Sequence, residues 1–275
     1  MAWQDIEEGI AFGQKAYANQ TSFHPVGLAA VVLLGVTMLA VKRRHAVLPI
    51  LAMACLVAPA QRLAIASLDF GAMRLMILFG LVRVFSRGEQ SGFRIQLLDL
   101  AVIAWTVIGG VAQVASTMTT AAVINRLGGA YDALGLYFLF RILIKDLGDV
   151  DVIAKQILWI SIPVCGLFLI EKFSGRNPFS FLGGVPVSSA IRQGAIRCQG
   201  PFPHPILAGC FWAVLAPIVA SGIWRAGNRK LLTVSGLAAI AGIAVMSGSS
   251  TPILTLGLGC LGCAVYPMRH HMRAI

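Results

Sequence analysis

Charged residues are scarce in this sequence, and acidic residues are the scarcest of them. Only 12% of the 275 residues are Asp, Glu, Lys or Arg, and only 11 residues are acidic. A soluble domain carries about 25% charged residues, so the composition excludes an ordinary soluble globular protein. Hydrophobic residues instead make up 57% of the chain, and they occur in runs of the length that a bilayer core of about 30 Å requires. The sequence therefore predicts an all-α fold, a polytopic transmembrane helical bundle.

The sequence also lacks the short motifs that mark common catalytic and metal sites. It contains no Walker loop, no zinc signature and no nucleophile triad pattern. Five of the six cysteines lie in apolar segments, and the CxxC pair of Cys260 and Cys263 has no second pair of ligands. We therefore expect no metal and no cofactor.

The apolar residues form nine segments, which predict about nine membrane spans. They cover residues 25–41, 46–60, 70–85, 97–115, 131–144, 152–170, 206–224, 231–246 and 253–266. A basic cluster at 42–44 follows the first segment, and the positive-inside rule places such clusters in the cytoplasm. This puts the N-terminus outside and the C-terminus in the cytoplasm. Arg225 and Arg229 then fall in a further cytoplasmic loop, whereas residues 116–130 form an external loop.

The net charge of +11 follows from this arrangement. Fourteen of the 22 Lys and Arg residues lie on the predicted cytoplasmic side and seven lie outside, which is the bias that the positive-inside rule describes. No basic domain stands apart from the apolar segments, so we expect membrane lipids as partners and no nucleic acid. We interpret residues 1–275 as a single transmembrane domain.

One long polar stretch, residues 171–205, interrupts the apolar segments on the predicted external side. It carries Lys172, Arg176, Arg192 and Arg197 against a single acid, Glu171. Arginine binds phosphate through a planar fork of donors and stays charged at any working pH. External arginines run against the positive-inside bias, so this loop is a candidate site for a diphosphate or an acidic glycan. The alternative is that its arginines anchor the loop to lipid headgroups.

The last nine residues of this loop, 197–205, predict a rigid corner before the seventh helix. Gly200 permits a left-handed turn, and Pro205 suits the first turn of a helix. Arg197 and His204 are thereby held near the N-terminus of that helix, which favours anions. His204 is a candidate general base because the pKa of histidine lies near neutral pH. The alternative is a histidine that only makes hydrogen bonds within the loop.

Arg74 lies inside the third predicted span, where an unpaired charge is costly. Asp69 and Asp132 lie at the same predicted level and are possible partners. We interpret Arg74 and Arg62 as further candidates for binding a substrate diphosphate in an external cavity. The alternative for Arg74 is a side chain that extends to the outer interface.

Two segments of this sequence resemble the O-antigen ligase and polymerase superfamily. The run RCQGPFPHPILAG at 197–209 is similar to the family's external arginine, Gly-x-Phe and His-Pro pattern leading into a helix. The run SGSSTP at 247–252 looks like its serine-rich segment. One departure is that many members have Ser-Arg-Gly where this chain has Ser249, Ser250 and Thr251, so a second arginine is absent.

The resemblance implies glycan transfer at the periplasmic face of the bacterial inner membrane. The donor implied is a saccharide linked to polyprenyl diphosphate, and the acceptor is a sugar hydroxyl on lipid A-core or on a growing glycan. Arginines would hold the diphosphate leaving group and a histidine would activate the acceptor hydroxyl, with no metal. By motif position, Arg197 corresponds to the diphosphate-binding arginine. Arg192, Arg74 and Arg62 remain cavity candidates from the residues alone.

The family's chains are longer, so we expect this sequence to lack a C-terminal half that holds further helices and an external loop with a histidine. Whether the chain is active as given stays open, as does the choice between ligase and polymerase. Two other functions remain alternatives. One is a transporter of lipid-linked glycans or anions, and the other is a non-catalytic subunit of a polysaccharide synthesis or export complex.

Overall fold

The computed structural model describes residues 21–65, 68–221, 230–266 and 268. Nine α-helices lie within these described residues: α1 (Pro25–Ala40), α2 (Val47–Leu56), α3 (Ala72–Ser86), α4 (Leu97–Thr117), α5 (Thr120–Leu143), α6 (Leu147–Ser174), α7 (Pro205–Ser221), α8 (Lys230–Met246) and α9 (Ser250–Val265). Two short 3₁₀ helices cover Arg43–His45 and Pro178–Leu182. The mostly helical fold confirms the all-α prediction.

Four short strands form two antiparallel hairpins. Strand β1 (Arg62–Ile65) pairs with β2 (Leu68–Gly71), and β3 (Ala190–Arg192) pairs with β4 (Ala195–Arg197). The β3–β4 hairpin lies in the predicted polar loop 171–205, whereas the β1–β2 hairpin covers the predicted turn after the second apolar segment and the first two residues of the third. The second hairpin carries two of the candidate site residues.

Each of the nine predicted apolar segments coincides with one of the nine helices in the described residues, but the connection at 116–130 differs from the prediction. The structure has almost no loop there, because α4 ends at Thr117 and α5 begins at Thr120. Met118 adopts a left-handed conformation with φ 47°, which ends α4. The Thr119 hydroxyl then accepts a hydrogen bond from the Ala122 N–H at 3.2 Å, which is a standard helix N-cap. The polar composition of this stretch therefore reflects capping residues and a polar first half of α5.

Two of the described helices, α4 and α6, are long and apolar enough to cross a bilayer. Four further helices, α1, α7, α8 and α9, are apolar but shorter. Only 6% of the apolar window of α4 is buried inside the protein, so this helix presents apolar side chains such as Trp105 and Ile108 to its surroundings.

The chain divides into two compact units. The first is built from the described residues of Met1–Met53 and Arg62–Asp149. In this unit α3 packs on α1 and α5, and α4 packs on α5. Gly80 lets α3 approach closely, because a Cβ there would lie 2.6 Å from a methyl of Leu139 and 2.8 Å from that of Met38. A small residue at such a contact lets the two helix backbones approach closely.

The second unit contains the described residues of Ala54–Gln61 and Val150–Ile275. Here α7 packs on both α8 and α9. Fully buried side chains of this core include Phe168, Trp212, Ile240 and Ile243. The polar loop between α6 and α7 belongs to this unit. The predicted cytoplasmic loop with Arg225 and Arg229 lies outside the described residues.

Candidate anion-binding site

Arg192 and Arg197 lie on one face of the β3–β4 hairpin. The register pairs Ala190 with Arg197 and Arg192 with Ala195, so the two arginines are diagonal neighbours on the same side. The turn residues, Gln193 and Gly194, have φ values of 52° and 75°. Two positive φ values in a two-residue turn match the twist of the flanking strands. The hairpin therefore brings two cations together, with Arg192 exposed and Arg197 buried.

Arg197 is anchored to the turn between α8 and α9. The Arg197 Nε–H donates to the carbonyl oxygen of Ser247 at 3.3 Å, and the Cys198 N–H donates to that of Met246 at 3.0 Å. Gly248 has φ 60°, and a Cβ on it would lie only 2.9 Å from Cγ of Arg197. This turn therefore needs glycine for its backbone conformation and for the space that the arginine occupies.

Arg197 is a buried cation with no counter-ion in the part of the chain that the structure describes. Its residue exposure is only 7%, and its Nη2 atom is buried without a hydrogen-bond partner. Burial and the positive charge of Arg192 both lower the pKa of Arg197, although a guanidinium stays protonated at any working pH. A buried charge is tolerated when it is paired and hydrogen-bonded. The site is therefore electrostatically incomplete, and an anion is the group that completes it.

The start of α9 adds backbone donors beside Arg197. Gly248 directly precedes the Ser249 N-cap, whose side chain makes no capping hydrogen bond. Ser250 and Thr251, in the first turn, are exposed. The N-terminus of a helix carries free N–H groups and a partial positive charge, both of which favour an anion. The serine-rich segment thus supplies neutral donors next to the arginine.

Glu171, the one acid of the polar loop, is buried at the end of α6 and holds the backbone of the corner at 197–205. Its Oε1 accepts hydrogen bonds from the Gln199 N–H and the Ser189 hydroxyl, each at 3.0 Å. Its Oε2 accepts one from the Gly200 N–H at 2.9 Å. Each hydrogen bond to a charged acceptor contributes about 1.5–3 kcal/mol. Glu171 therefore satisfies the hydrogen-bonding needs of buried backbone N–H groups, and it is not a counter-ion of Arg197.

Two more side chains hold the same segment. The Lys172 Nζ donates to the carbonyl oxygen of Ile196 at 2.6 Å, and the Asn177 Nδ2 donates to that of Gly200 at 2.7 Å. Gly200 has φ 57°, and a Cβ there would lie 2.4 Å from the ring of Phe168. The left-handed turn predicted at Gly200 is confirmed. The loop that carries Arg197 is thus ordered by its own hydrogen bonds.

His204 caps α7, which begins at Pro205 as the sequence predicts. Its Nδ1 accepts a hydrogen bond from the Ile206 N–H at 3.2 Å. In the neutral ring the proton then sits on Nε2, which becomes a donor. Burial, followed by the charge of Arg197, lowers the pKa of His204, so the ring is neutral at pH 7. In this tautomer the Nε2–H of His204 can donate a hydrogen bond to an anion. To act as a base through Nδ1, the ring would first have to break its hydrogen bond with the Ile206 N–H.

Cys198 lies between Arg197 and the Glu171 bonds but is chemically quiet. Burial, aided by the charge of Glu171, raises the pKa of its thiol to about 12. The nucleophilic form of cysteine is the thiolate, which this environment suppresses. Its Sγ lies 3.6 Å from the carbonyl oxygen of Phe168. Cys198 therefore packs the corner, and its thiol stays protonated at neutral pH.

The two motif segments quoted from the sequence meet in space. Besides the contact of Arg197 with Ser247 and Gly248, α7 touches the serine-rich segment through Gly209. A Cβ at Gly209 would lie 2.6 Å from both the Ser247 Oγ and the Pro252 Cγ. The glycine that ends the first motif thus lets α7 approach the start of α9 closely.

Arg62 and Arg74, both in the first unit, have acidic partners. Arg62 Nη1 lies 2.9 Å from Asp69 Oδ2, and Arg74 Nε lies 3.1 Å from both carboxylate oxygens of Asp132. Arg74 also donates to the carbonyl oxygen of Asp69. The partners predicted from the sequence are therefore confirmed. Because both charges are already neutralised, Arg62 and Arg74 are weaker candidates for a substrate anion than Arg197.

Sequence reasoning named Arg192, Arg197 and His204 but assigned no role to Glu171 or Gly248. Glu171 could have been suspected, since a single acid among four cations in a polar loop invites a structural role. The close approach of Gly248 to Arg197 leaves no such signal, because 51 positions separate the two residues along the sequence.

No protein-family model, curated protein or solved structure matches this chain.

Proposed function

We propose that this chain is a multi-pass protein of the bacterial inner membrane, with about nine spans, that binds a lipid-linked diphosphate at its periplasmic face. Its proposed reaction is transfer of a saccharide from polyprenyl diphosphate to a hydroxyl of a glycan or lipid A-core acceptor. The observation that carries the proposal is Arg197, a buried guanidinium with no acid to pair with in the described residues. The resemblance of segments 197–209 and 247–252 to the ligase and polymerase superfamily supplies the substrate class.

Arg197 suits a diphosphate for a physical reason. Its unpartnered Nη2 and the nearby Arg192 would share the charge of one ligand, and the first turn of α9 would add neutral donors. When the sugar leaves, negative charge grows on the diphosphate, so preorganised donors stabilise the transition state more than the ground state. The hydrogen bonds of Glu171 hold the loop in place, so that Arg197 would need to move little as the charge on the diphosphate grows.

His204 belongs to the same proposed site. In the tautomer set by its cap bond, Nε2–H would donate a hydrogen bond to the leaving diphosphate. The role as general base for the acceptor hydroxyl stays a prediction, and it requires the bond between Nδ1 and Ile206 to break. Arg192 is proposed as the exposed cation that first meets the ligand. Arg74 and Arg62 stay predictions as diphosphate-binding residues, because Asp132 and Asp69 already balance their charges.

The proposal is tested by replacing Arg197 with Ala in cells and measuring surface polysaccharide. We expect loss of the polymer at normal protein level. Arg126→Ala, which removes one exposed arginine from the predicted external side, is the matched control and should leave the polymer unchanged. Unchanged polysaccharide in the Arg197→Ala cells would count against the proposal.

A second candidate is a binding subunit that holds the lipid diphosphate for a partner enzyme. The occupied Nδ1 of His204 favours it, because no free base stands beside Arg197 in the described part of the chain. Purified protein that binds polyprenyl diphosphate but never transfers its saccharide, and that co-purifies with a glycosyltransferase, would support this candidate over transfer.

A further inference from the structure

A second basic site lies in the first unit, far along the chain from Arg197. A cavity of about 310 Å³ opens between the loop that follows α3, the start of α4 and the end of α5. Its lining includes Glu89, Phe93, Arg94, Gln96, Arg141 and Lys145. Three of these side chains are cations and one is an acid. The volume is at the small end of ligand pockets, which suits a headgroup better than a whole saccharide.

The one acid of the lining is already neutralised. Both carboxylate oxygens of Glu89 accept from the buried Arg83, at 2.8 Å from Nη2 and 3.0 Å from Nε. Arg83 is fully buried and also donates to the carbonyl oxygen of Val41 at 2.8 Å. Glu89 therefore offers the cavity no free negative charge.

One of the three cations is also partly balanced. Arg141 Nε lies 3.4 Å from Asp99 Oδ1, and its guanidinium stacks 5.5 Å above the ring of Phe93. Arg94 and Lys145 are exposed, and neither side chain forms an ion pair in the part of the chain that the structure describes. The cavity therefore carries two uncompensated positive charges beside a third that is fixed in place.

The surroundings of the cavity are apolar. Ile95, Leu97 and Leu98 flank the lining residues Arg94 and Gln96 in sequence, and they are 64%, 83% and 63% exposed. Leu97 and Leu98 open α4, a helix whose apolar window is only 6% buried inside the protein. A basic pocket at the end of a lipid-facing helix is the arrangement that recognises anionic headgroups.

We infer that this cavity binds the phosphate of an anionic ligand through Arg94 and Lys145, with Arg141 as a fixed third cation. A phospholipid headgroup is the source that the geometry favours, because its acyl chains could run along the exposed face of α4. Free inorganic phosphate shares the chemistry and is the other source. The lipid source depends on α4 lying in the bilayer, but the site is independent of glycan transfer.

The test is a titration of the purified full chain in detergent, read by native mass spectrometry. The probes are phosphatidylglycerol, zwitterionic phosphatidylcholine and inorganic phosphate. Arg94→Gln together with Lys145→Gln removes the two free charges. Lys42→Gln together with Arg44→Gln removes two exposed charges elsewhere in the same unit and is the charge-matched control. All four side chains are exposed, so we expect every variant to fold.

We expect phosphatidylglycerol to bind more tightly than phosphatidylcholine, and the cavity variant to weaken it about tenfold. The control should change it less than twofold. Displacement of phosphatidylglycerol by millimolar inorganic phosphate would identify free phosphate as the source, and no displacement would identify the lipid. Equal weakening in both double variants, or no preference for an anion, overturns the inference.

Discussion

Two arginines of this protein have opposite electrostatic environments. Arg74 meets the carboxylate of Asp132 with both Nε and Nη2, at 3.1 Å for each. Arg197 donates only to a backbone carbonyl and leaves Nη2 buried without a partner in the described residues. The first arginine stabilises the fold, whereas the second costs stability because its buried charge has no counter-ion among the described residues.

This contrast predicts opposite effects of the same substitution on the stability of the ligand-free protein. Arg197→Met removes an uncompensated buried charge, so we expect the thermal midpoint to stay the same or to rise. Arg74→Met leaves Asp132 without its partner and should lower the free energy of unfolding by about 1 kcal/mol. Thermal unfolding in detergent measures both variants. A large loss of stability in Arg197→Met would mean that this arginine is structural.

His204 predicts a dependence of stability on pH. Its pKa is lowered in the folded state by burial and by Arg197, so the unfolded chain takes up a proton first as the pH falls. The contribution of His204 is therefore intact above the ordinary histidine pKa of about 6.5 and is lost below it. We expect a thermal midpoint that drops between pH 7.5 and pH 5.5.

His204→Asn separates this effect from other titrating groups. Asparagine is also a good N-cap, so the variant should keep the stability of the wild type at pH 7.5 and show a smaller drop at pH 5.5. The same variant reports on chemistry, because asparagine cannot act as a base. If the thermal midpoints of the wild type and the His204→Asn protein fell equally between pH 7.5 and pH 5.5, His204 would not be the source of the pH dependence.

At the scale of elements, the sequence predicted where the helices lie better than it predicted what lies between them. Long apolar runs leave few alternatives to a helix, so all nine segments were found. Residues 116–130 were misread because threonine and glycine suggest a loop, whereas Thr119 caps a helix and the following residues continue it. The β3–β4 hairpin was not predicted, since strands of three residues have too little alternation to detect.

Gly248 gives a direct test of the turn that supports Arg197. In Gly248→Ala the backbone is strained because alanine disfavours φ 60°. The added methyl group would also lie only 2.9 Å from Cγ of Arg197. We expect a loss of about 1–3 kcal/mol in the free energy of unfolding, with weaker anion binding because the arginine must shift. Gly183→Ala is the matched control, since Gly183 has φ 79° but nothing within 4 Å of an added Cβ. Equal behaviour of the two variants would mean that the close approach is unimportant.

For the whole molecule, the proposed glycan transfer requires the Arg197 site to face the periplasm. The β3–β4 turn is proposed to be periplasmic and the cluster at 42–44 cytoplasmic. Gln193→Cys and Arg44→Cys each place a thiol at an exposed position. We expect a membrane-impermeant maleimide to label intact cells carrying Gln193→Cys, and to label Arg44→Cys only after the membrane is opened.

The wild type gives the baseline for this labelling, because it carries the same six native cysteines. Among them, Cys198 should stay unlabelled, since burial raises the pKa of its thiol to about 12. Labelling of Arg44→Cys in intact cells, with Gln193→Cys protected, would reverse the proposed orientation and place the Arg197 site in the cytoplasm.

Arg197 is proposed to hold the diphosphate of a lipid-linked substrate. Isothermal titration of the purified chain with farnesyl diphosphate tests it most directly, in a background of Arg94→Gln and Lys145→Gln that removes the other basic site. We predict that Arg197→Met weakens binding by about tenfold to a hundredfold, the worth of one hydrogen bond to a charged group, and that Arg126→Met does not. Equal affinity in the Arg197→Met protein and its parent would contradict the claim.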